Sequence, residues 1–407
     1  MEKINLHSLV LMVGPSGAGK STAIKSLFNE SEVVSSDAVR AELLGDFQIQ
    51  SNRDDVWAEV HRRVRQRLAF GQRVVLDSTA LRFRDRRAFV ELAKLFAVDL
   101  VYVVVNRPLE EKLATAGWRA DHPGLIEKHE ETFNNNLKDI MRGDGVARVV
   151  VYGKDAIEVV KHVNDHTNDH AEWFSKGVMV LGDVHGNYTE FKQMIAAAGE
   201  QGLNILFLGD IVDYGDNNLA VFDCVYDLVR KGRARMIWGN HERKLVRWVD
   251  GEFGRTFKGS VTHGLAMTVK EIVDRIAKNS AYELQFAARL RMLYTNSRQH
   301  WVYNNWLFTH GAATPAMWDM KGHSLPGYHS NMAFFGEVDE AQPQREDGYP
   351  NRVYNWVDRI PSEKTVVVGH DPRNKTAPFV VTNSEGGRAI FLDTGSSKGG
   401  KLSCIIV

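Results

Sequence analysis

Residues 9–28 read LVLMVGPSGAGKSTAIKSLF, an apolar run followed by a glycine-rich loop and the start of a helical pattern. The loop fits the pattern G-x-x-x-x-G-K-[ST], which binds phosphates when a strand precedes it and a helix follows it. Its glycines let successive backbone N–H groups turn toward the phosphates at the helix N-terminus. The segment therefore predicts a phosphate-binding loop within an α/β fold.

The polar residues of this loop have separate expected roles. Lys20 should reach the β- and γ-phosphates and stabilise the transferred phosphoryl group, and Ser21 should bind Mg²⁺. The residues expected to hold the phosphates are Gly14, Ser16, Gly17, Gly19, Lys20, Ser21 and Thr22. A chance glycine-rich turn is the alternative, and the complete motif in its strand–loop–helix context argues against it.

Around the loop, apolar runs and amphipathic helical stretches alternate up to about residue 163. This alternation is typical of a parallel sheet with helices on both faces. A polar stretch at 164–170 interrupts the pattern, and a second strand-and-loop series begins at Val178. Because 407 residues exceed the usual size of a single core, two domains are expected. The predicted division is a first domain at 1–165, a linker at 166–176 and a second domain at 177–407.

The chain has a formal net charge of zero and two cysteines. Bulk charge therefore gives no argument for a nucleic-acid partner, and the cysteines are too few for a disulfide framework. Two arginine groups, at 62–67 and 82–87, are interpreted as solvated helix faces. The start of the chain does not resemble a signal peptide, and no apolar run reaches the ~20 residues of a membrane span. A cytoplasmic protein without a membrane partner is expected.

A second candidate site in the first half is SSDAVR at residues 35–40, which follows the apolar pair Val33-Val34. If that pair forms a strand, Asp37 lies at its carboxyl end, where α/β sheets place ligand-binding groups. Asp37 could then accept a proton from an attacking hydroxyl, and Arg40 could bind a phosphate nearby. An N-terminal helix cap with a solvated arginine explains the same residues.

The second half contains five apolar strands that each end in residues able to bind metal ions. The five segments read GDVHGN at 182–187, GDIVDYG at 209–215, GNHE at 239–242, THG at 309–311 and GHD at 369–371. A pair of divalent cations needs carboxylate, amide and imidazole ligands from several strand ends, with one bridging carboxylate. These segments supply all three ligand types and predict a two-metal site.

The first half resembles the kinase module of polynucleotide kinase-phosphatases. The resemblance is carried by the phosphate-binding loop, Asp37, Arg40, DST at 77–79, NRP at 106–108 and GWR at 117–119. It implies that ATP is the phosphate donor and that Asp37 is the general base toward a polynucleotide 5′-OH. Arg40 would bind the adjacent nucleotide phosphate. Arg119 would be a lid residue over the ATP phosphates, with Arg107 as a second candidate.

The second half resembles the metallophosphoesterase superfamily, which implies a calcineurin-like α/β sandwich. The implied ligands are Asp183 and His185 for the first metal, Asp210 as the bridge, and Asn240, His310 and His370 for the second. His241 would be the general acid that protonates the leaving oxygen, and Asp213 would orient it. Water would attack phosphorus without a covalent phosphoenzyme. Mn²⁺ is the expected metal, with Ni²⁺ or Fe²⁺ as alternatives.

One position departs from the superfamily pattern. Where relatives commonly read Gly-Asp-x-x-Asp-Arg-Gly, this chain has Tyr214 in place of an arginine that binds phosphate. A tyrosine donates one hydrogen bond but carries no positive charge, so phosphate affinity or substrate preference is expected to differ. The resemblance also makes Arg352 and Asp393 candidate substrate-binding residues.

The two resemblances together imply a bifunctional enzyme that heals RNA or DNA ends. The first half would phosphorylate 5′-OH ends, and the second would remove 3′-phosphate or 2′,3′-cyclic phosphate before a separate ligase acts. The alternative is a small-molecule kinase joined to a dinucleoside-tetraphosphatase or a phosphoprotein phosphatase, and a non-catalytic nucleotide sensor is a third hypothesis. A homo-oligomer is compatible with the sequence. No motif marks a reader of the 2′-OH, so RNA and DNA are not distinguished.

Overall fold

The computed structural model describes residues 1–49, 53–165, 170–252, 261, 264–339 and 350–407. The chain forms two compact units. The first contains Met1–Val160 and Ala281–Met292, and the second contains Lys161–Ser280 and Leu293–Val407. Of the expected linker at 166–176, residues 166–169 lie outside the described residues.

The first unit is built on a five-stranded parallel sheet. The strands of this unit are β1 (Glu2–Ile4), β2 (Ser8–Val13), β3 (Val33–Ser35), β4 (Val74–Asp77), β5 (Asp99–Val104), β6 (Arg148–Val151) and β7 (Ile157–Val159). Its first six helices are α1 (Lys20–Leu27), α2 (Ser36–Leu44), α3 (Arg53–Ala69), α4 (Phe83–Phe96), α5 (Leu109–Ala114) and α6 (Leu125–Met141). The sheet order is β3-β4-β2-β5-β6, and β1 pairs with β7.

Strand β2 is buried along its whole length because helices cover both faces of the sheet. On one face, Leu9 and Leu11 belong to a core formed with α3 and α4. On the other face, Val10 and Met12 pack with the apolar residues of α1. Alternate side chains point to opposite faces of a strand, so a continuous apolar run is what a doubly covered strand requires. The predicted parallel sheet with helices on both faces is confirmed.

The interpretation of the 82–87 arginine group is wrong for Arg86. The Arg86 side chain is fully buried and forms an ion pair with Asp144, with 2.6 Å between Arg86 Nε and Asp144 Oδ2. Tyr102 donates a hydrogen bond to the same oxygen at 2.8 Å. Because the partner carboxylate lies 58 residues away, the local charge pattern carried no sign of this contact.

The second unit consists of two five-stranded sheets with helices. Its strands are β8 (Val178–Leu181), β9 (Asn204–Phe207), β10 (Ala234–Ile237), β11 (Ser297–Arg298), β12 (His300–Tyr303), β13 (Trp306–Thr309), β14 (Glu337–Val338), β15 (Arg352–Val353), β16 (Thr365–Val368), β17 (Phe379–Thr382), β18 (Arg388–Phe391) and β19 (Cys404–Ile406). The helices that follow α6 are α7 (His170–Ser175), α8 (Tyr188–Glu200), α9 (Asn218–Arg230), α10 (Asn240–Glu252), α11 (Gly264–Lys278), α12 (Tyr282–Thr295), α13 (Gly327–Phe335) and α14 (Asn355–Asp358). The sheet orders are β11-β10-β9-β8-β19 and β12-β13-β16-β18-β17.

The two sheets pack face to face. One core cluster contains Val180 and Leu206 from the first sheet together with Phe308 and Val367 from the second. Helices α13 and α14 cover the other face of the second sheet. The predicted α/β sandwich is confirmed. In the described part of the chain, no helix combines the length and apolar character that a membrane crossing needs.

Helix α12 starts in the first unit, although the sequence places it inside the second domain. Ala288 is fully buried in the core cluster around α3 and α4. Gln285 Nε2 donates to the Leu95 carbonyl oxygen at 3.0 Å. A Cβ at Gly71 would lie 2.5 Å from both the Ala288 carbonyl oxygen and the Met292 nitrogen. The first unit is therefore discontinuous in sequence.

Candidate active sites

The phosphate-binding loop opens into a cavity of about 730 Å³ in the first unit. Of the predicted residues, those lining it are Ser16, Gly17, Gly19, Lys20, Ser21, Thr22, Asp37, Arg40 and Arg119. Gly14 lies against β5, where a Cβ would come within 2.1 Å of the Val105 carbonyl oxygen. Gly17 and Gly19 have φ values of 77° and 98°, a region that favours glycine. Glycine is thus required at all three positions.

Lys20 and Asp77 form the charged centre of this cavity. Lys20 Nζ donates hydrogen bonds to the carbonyl oxygens of Gly14 and Pro15, at 2.9 and 3.0 Å. Burial lowers the pKa of Lys20 to about 8, and the Asp77 carboxylate opposes that shift. Burial also raises the pKa of Asp77, which ends β4. A polyanion entering the cavity would meet the Lys20 ammonium close to the loop.

Asp37 and Arg40 form an ion pair on α2, with 2.6 Å between Asp37 Oδ1 and Arg40 Nη1. Ser35 caps this helix, because its side chain accepts a hydrogen bond from the Ala38 nitrogen. The cap role considered for Asp37 is therefore filled by another residue. The Asp37 side chain is 56% exposed, whereas that of Arg40 is 12% exposed. Asp37 thus faces the open cavity with a cation beside it.

Other residues also surround this cavity, and of these the sequence analysis considered only Arg107, as a second lid residue. Ser16 Oγ lies 2.8 Å from His129 Nδ1, which fixes the loop against α6. Arg107 Nε donates to the Gly17 carbonyl oxygen at 2.7 Å. Arg53 and Trp57 of α3 also line the cavity. Because the Ser16–His129 contact spans 113 residues, no local pattern could have revealed it.

In the second unit, Asp210 lies between two groups of histidines. The Nε2 atoms of His185 and His241 are 4.0 and 3.8 Å from Asp210 Oδ2. His310 Nε2 is 3.3 Å from the same oxygen, and it is 3.1 Å from His370 Nδ1. Two sets of three possible metal ligands therefore share Asp210. A bridging carboxylate requires this arrangement.

Hydrogen bonds orient the imidazoles as metal ligands. His185 Nδ1 lies 2.9 Å from the Val212 carbonyl oxygen, and His310 Nδ1 lies 2.8 Å from the Leu208 carbonyl oxygen. A carbonyl oxygen only accepts, so each Nδ1 must carry a proton and each Nε2 faces the acidic centre. Asn240 Oδ1, another acceptor, is 3.1 Å from His310 Nε2.

The charge balance of the site calls for cations. Five carboxylates of the site have 0–4% of their surface exposed: Asp183, Asp210, Asp213, Glu242 and Asp393. Burial raises the pKa of Asp183 well above its usual range, and it raises that of Glu242 to about 7 and that of Asp393 to about 6. Burial disfavours the protonated form of His310, but attraction to the Asp210 carboxylate is the stronger effect. The pKa of His310 is therefore raised. The donor set and the clustered acids fit divalent metal ions.

Asp183 and Glu242 hold the ligand-bearing loops together. The Asp183 carboxylate accepts the backbone N–H of His370 at 3.0 and 3.1 Å, and Asp183 Oδ2 lies 3.8 Å from His185 Nε2. Glu242 accepts three backbone N–H groups, from Gly239, Asp210 and Ile211, at 2.8–3.0 Å. Glu242 received no role from the sequence, although it directly follows the Asn240-His241 pair.

His241 is oriented by a chain of hydrogen bonds. His241 Nδ1 is 2.6 Å from Asp213 Oδ2, and Thr268 Oγ1 donates to Asp213 Oδ1 at 2.5 Å. Burial opposes protonation of His241, but Asp210 and Asp213 together raise its pKa. With Nδ1 bound to Asp213, Nε2 faces the centre of the site. Thr268, on α11, is a further residue that sequence reasoning missed.

The backbone of this site is strained at several ligand positions. Five non-glycine residues have positive φ: His185 (46°), Asp210 (50°), Asp213 (74°), Tyr214 (67°) and His370 (67°). Each such residue costs about 1–3 kcal/mol and persists only where surrounding contacts hold it. The clustering of these residues marks a site under functional constraint.

Tyr214, which replaces the expected arginine, lies over the two histidines on one side of Asp210. Its ring centroid is 5.2 Å from that of His185 and 5.4 Å from that of His241. Lys398 Nζ lies 5.6 Å from the centre of the Tyr214 ring. The turn that carries Lys398 is tied to the ligand loop, because Ser396 Oγ donates to the Asp183 carbonyl oxygen at 2.9 Å. A lysine charge is therefore present where the arginine is missing.

The two other substrate-side candidates lie near the second group of ligands. Arg352 donates to the Phe335 carbonyl oxygen. Burial, and then the charges of His310 and Arg352, lower the pKa of His370. Asp393 Oδ1 accepts the Gly395 N–H at 2.8 Å. Arg352 is thus close enough to influence a ligand electrostatically, while Asp393 shapes the turn that leads to Lys398.

The α/β sandwich and its shared carboxylate define the metallophosphoesterase class of enzymes. Residues 177–391 match the family model described as calcineurin-like phosphoesterase, and residues 9–140 match the model described as AAA domain. Because the first match spans more than half of the chain, this protein belongs to the calcineurin-like phosphoesterase family, which implies that divalent metals bind at the second site.

Individual relatives and solved structures align with somewhat more than half of the chain. The bis(5′-nucleosyl)-tetraphosphatase PrpE of Geobacillus thermodenitrificans is 30% identical over 241 residues, covering 56% of this chain and 88% of the relative. A putative diadenosine tetraphosphatase structure is 19% identical, with a TM-score of 0.34, covering 57% of this chain and 89% of that one. A chain in the structure of the Pnkp1/Rnl/Hen1 RNA repair complex is 16% identical, with a TM-score of 0.29. The match covers 58% of this chain and 79% of that one.

Proposed function

We propose that this protein is a bifunctional enzyme that heals broken nucleic-acid ends. Its first unit transfers a phosphoryl group from ATP, with Mg²⁺, to a polynucleotide 5′-OH. Its second unit removes 3′-phosphate or 2′,3′-cyclic phosphate with a pair of divalent metals, foremost Mn²⁺. A separate ligase would then join the ends.

The observation that carries the proposal is the Asp37–Arg40 pair at the open side of the phosphate cavity. Asp37 takes the proton from the attacking 5′-hydroxyl as its oxygen bonds to the γ-phosphorus and ADP leaves. Arg40 binds the phosphodiester that follows the first nucleoside. A small acceptor without a phosphate of its own would offer no anion to the Arg40 guanidinium, which lies 2.6 Å from Asp37 Oδ1. Lys20 and Arg119 bind the donor phosphates.

In the second unit, metal ions held by the Asp210-centred ligands would activate water and neutralise phosphate charge. The residues of the chain orient the reaction around them. His241 protonates the leaving oxygen, and Asp213 and Thr268 hold its imidazole in position. Arg352 and Lys398 contribute positive charge on the substrate side. Asn240, His310 and His370 hold the second ion.

The second candidate is a dinucleoside tetraphosphatase joined to a small-molecule kinase. It is favoured by the relatives that bear the tetraphosphatase name and align with most of their own length. In that case the second unit would cleave a phosphoanhydride instead of a terminal phosphate ester. With either substrate, the phosphate oxygens would contact the same pair of metal ions.

A direct assay separates the two candidates. The protein is incubated with ATP, Mg²⁺ or Mn²⁺, and an oligonucleotide bearing 5′-OH and 3′-phosphate ends, supplied as RNA and as DNA. End healing predicts gain of the 5′-phosphate and loss of the 3′-phosphate. Unchanged ends together with rapid turnover of dinucleoside tetraphosphate would reject the first candidate and support the second.

A further inference from the structure

The α/β sandwich of the second unit contains a cavity beside helix α10. Its volume is about 350 Å³, which is large enough for a small ligand. The lining residues that matter here are Trp238, Arg243, Arg247, Tyr294, His323 and Phe334. All of them belong to the second unit. None of them is among the predicted metal ligands or substrate-side residues.

One wall of this cavity is aromatic. The Trp238 and Tyr294 ring centroids are 5.4 Å apart, and those of Tyr294 and His323 are 5.1 Å apart. Tyr294 is 41% exposed, so its ring is available to a ligand. Planar rings on exposed aromatic side chains are the means by which proteins stack nucleobases.

A buried donor points to a missing acceptor. Trp238 is 3% exposed, and its Nε1 atom has no hydrogen-bond partner among the described residues. A buried N–H without a partner costs about 1–3 kcal/mol, and such groups are rare in folded proteins. Since Trp238 lines the cavity, a ligand carbonyl, ring nitrogen or phosphate oxygen could accept this hydrogen bond.

Two arginines also line this cavity. Arg243 and Arg247 are exposed on α10, and in the described part of the chain no carboxylate lies within ion-pair distance of either. The Arg243 guanidinium lies 5.1 Å from the centre of the ring of Phe334, which also lines the cavity. Two arginines without acidic partners form an anion-binding surface.

Helix α10 connects this cavity to the metal site. The helix starts at the predicted ligand Asn240, and Arg243 and Arg247 follow three and seven residues later. Residues with this spacing share one face of a helix. At 1.5 Å per residue, the two arginines lie roughly 4.5 and 10 Å along the axis from Asn240. A chain whose terminal phosphate is at the metals can therefore reach the arginines with its next phosphates.

We propose that this cavity binds a nucleotide of the strand whose 3′ end is being processed. The nucleobase stacks on Tyr294 and accepts the Trp238 Nε1 hydrogen bond, while Arg243 and Arg247 bind the phosphodiester backbone. The inference rests on the proposed end-healing function and names the part of the substrate that this site recognises. It makes a single-stranded polynucleotide a better substrate than a small phosphate ester.

The test measures binding and turnover separately. A single-stranded hexanucleotide, blocked at its 5′ end by a dye on the phosphate and ending in 3′-OH, is titrated into the full-length protein by fluorescence anisotropy. The Arg243→Ala/Arg247→Ala variant should bind it about tenfold more weakly. Hydrolysis of para-nitrophenyl phosphate, which has no nucleotide, should stay within twofold of wild type. Arg388→Ala/Lys192→Ala, which also removes two exposed positive charges, at the start of β18 and on α8, is the charge-matched control.

Aromatic variants give a second readout. Tyr294→Ala should weaken hexanucleotide binding, and Tyr294→Phe should restore it, because stacking needs the ring and not the hydroxyl. Unchanged binding in the arginine variant would overturn the proposal, as would equal losses of hexanucleotide binding and of para-nitrophenyl phosphate hydrolysis. Since the anisotropy readout does not require phosphatase action, wild-type binding without 3′-phosphate removal would reject the proposed function and leave the nucleotide site supported.

Discussion

In the phosphoryl transfer proposed for the first unit, the exposed Asp37 carboxylate accepts the hydroxyl proton. We predict that Asp37→Ala lowers 5′-hydroxyl phosphorylation by at least about 100-fold, because no base remains to take the hydroxyl proton. Removal of 3′-phosphate should be unchanged, since the phosphatase residues belong to the other unit. End-labelled oligonucleotides resolve both products in one gel. If both activities were lost together, the substitution would be shown to disturb the folded structure and not only the phosphorylation step.

At the second site, the positive charge missing from position 214 is expected to come from Lys398. We predict that Lys398→Ala raises KM for a 3′-phosphorylated oligonucleotide about tenfold, in line with the loss of one hydrogen bond to a charged group. Lys401→Ala, three residues away and also exposed, is the matched control. If both variants behave like wild type, Lys398 does not contact the phosphate.

Sequence reasoning works well for residues whose role depends on a local motif. The glycines of the phosphate-binding loop and the ligands at the strand ends could be named because each motif carries its own structural context. Glu242, Thr268 and Lys398 could not be assigned, since each acts on a loop that is distant in sequence. For Thr268 and Asp213 that separation is 55 residues.

At the scale of elements, the buried ion pair between Arg86 and Asp144 joins α4 to the turn after α6 in the first unit. We predict that Arg86→Met lowers the free energy of unfolding by about 3 kcal/mol, because Asp144 is left as an unpaired buried charge. Urea denaturation measures the change. Arg84→Met, whose side chain is 68% exposed, should change stability by less than about 0.5 kcal/mol. A double variant with Asp144→Leu should recover part of the loss.

The order of strands and their covering helices could be predicted in outline because periodicity and turn residues are local. The pairing of strands within a sheet could not be predicted in this way, because it depends on contacts between segments that are distant in sequence. Strand β13 pairs in parallel with β16, and this pairing brings His310 and His370 to one edge. The local sequence around either histidine contains no information about the other.

At the scale of the whole molecule, the two catalytic sites should fail independently. We predict that Asn240→Ala or His310→Ala abolishes phosphatase activity while 5′ phosphorylation persists. Each variant should also bind fewer equivalents of divalent metal than wild type, measured by elemental mass spectrometry after dialysis. Wild-type metal content would contradict the ligand assignment even if activity fell.

Helix α12 gives the discontinuous first unit a consequence for biosynthesis. The ribosome completes residues 1–160 long before it reaches Ala288, which is fully buried in the core of that unit. Domains that are continuous in sequence fold as they emerge, but this one must wait for residues up to Met292. A genetic cut near residue 165 should therefore produce an N-terminal fragment that lacks Ala288 in its core and is prone to aggregation. The two sites are predicted to fail independently, but a single cut in the chain does not separate the two units.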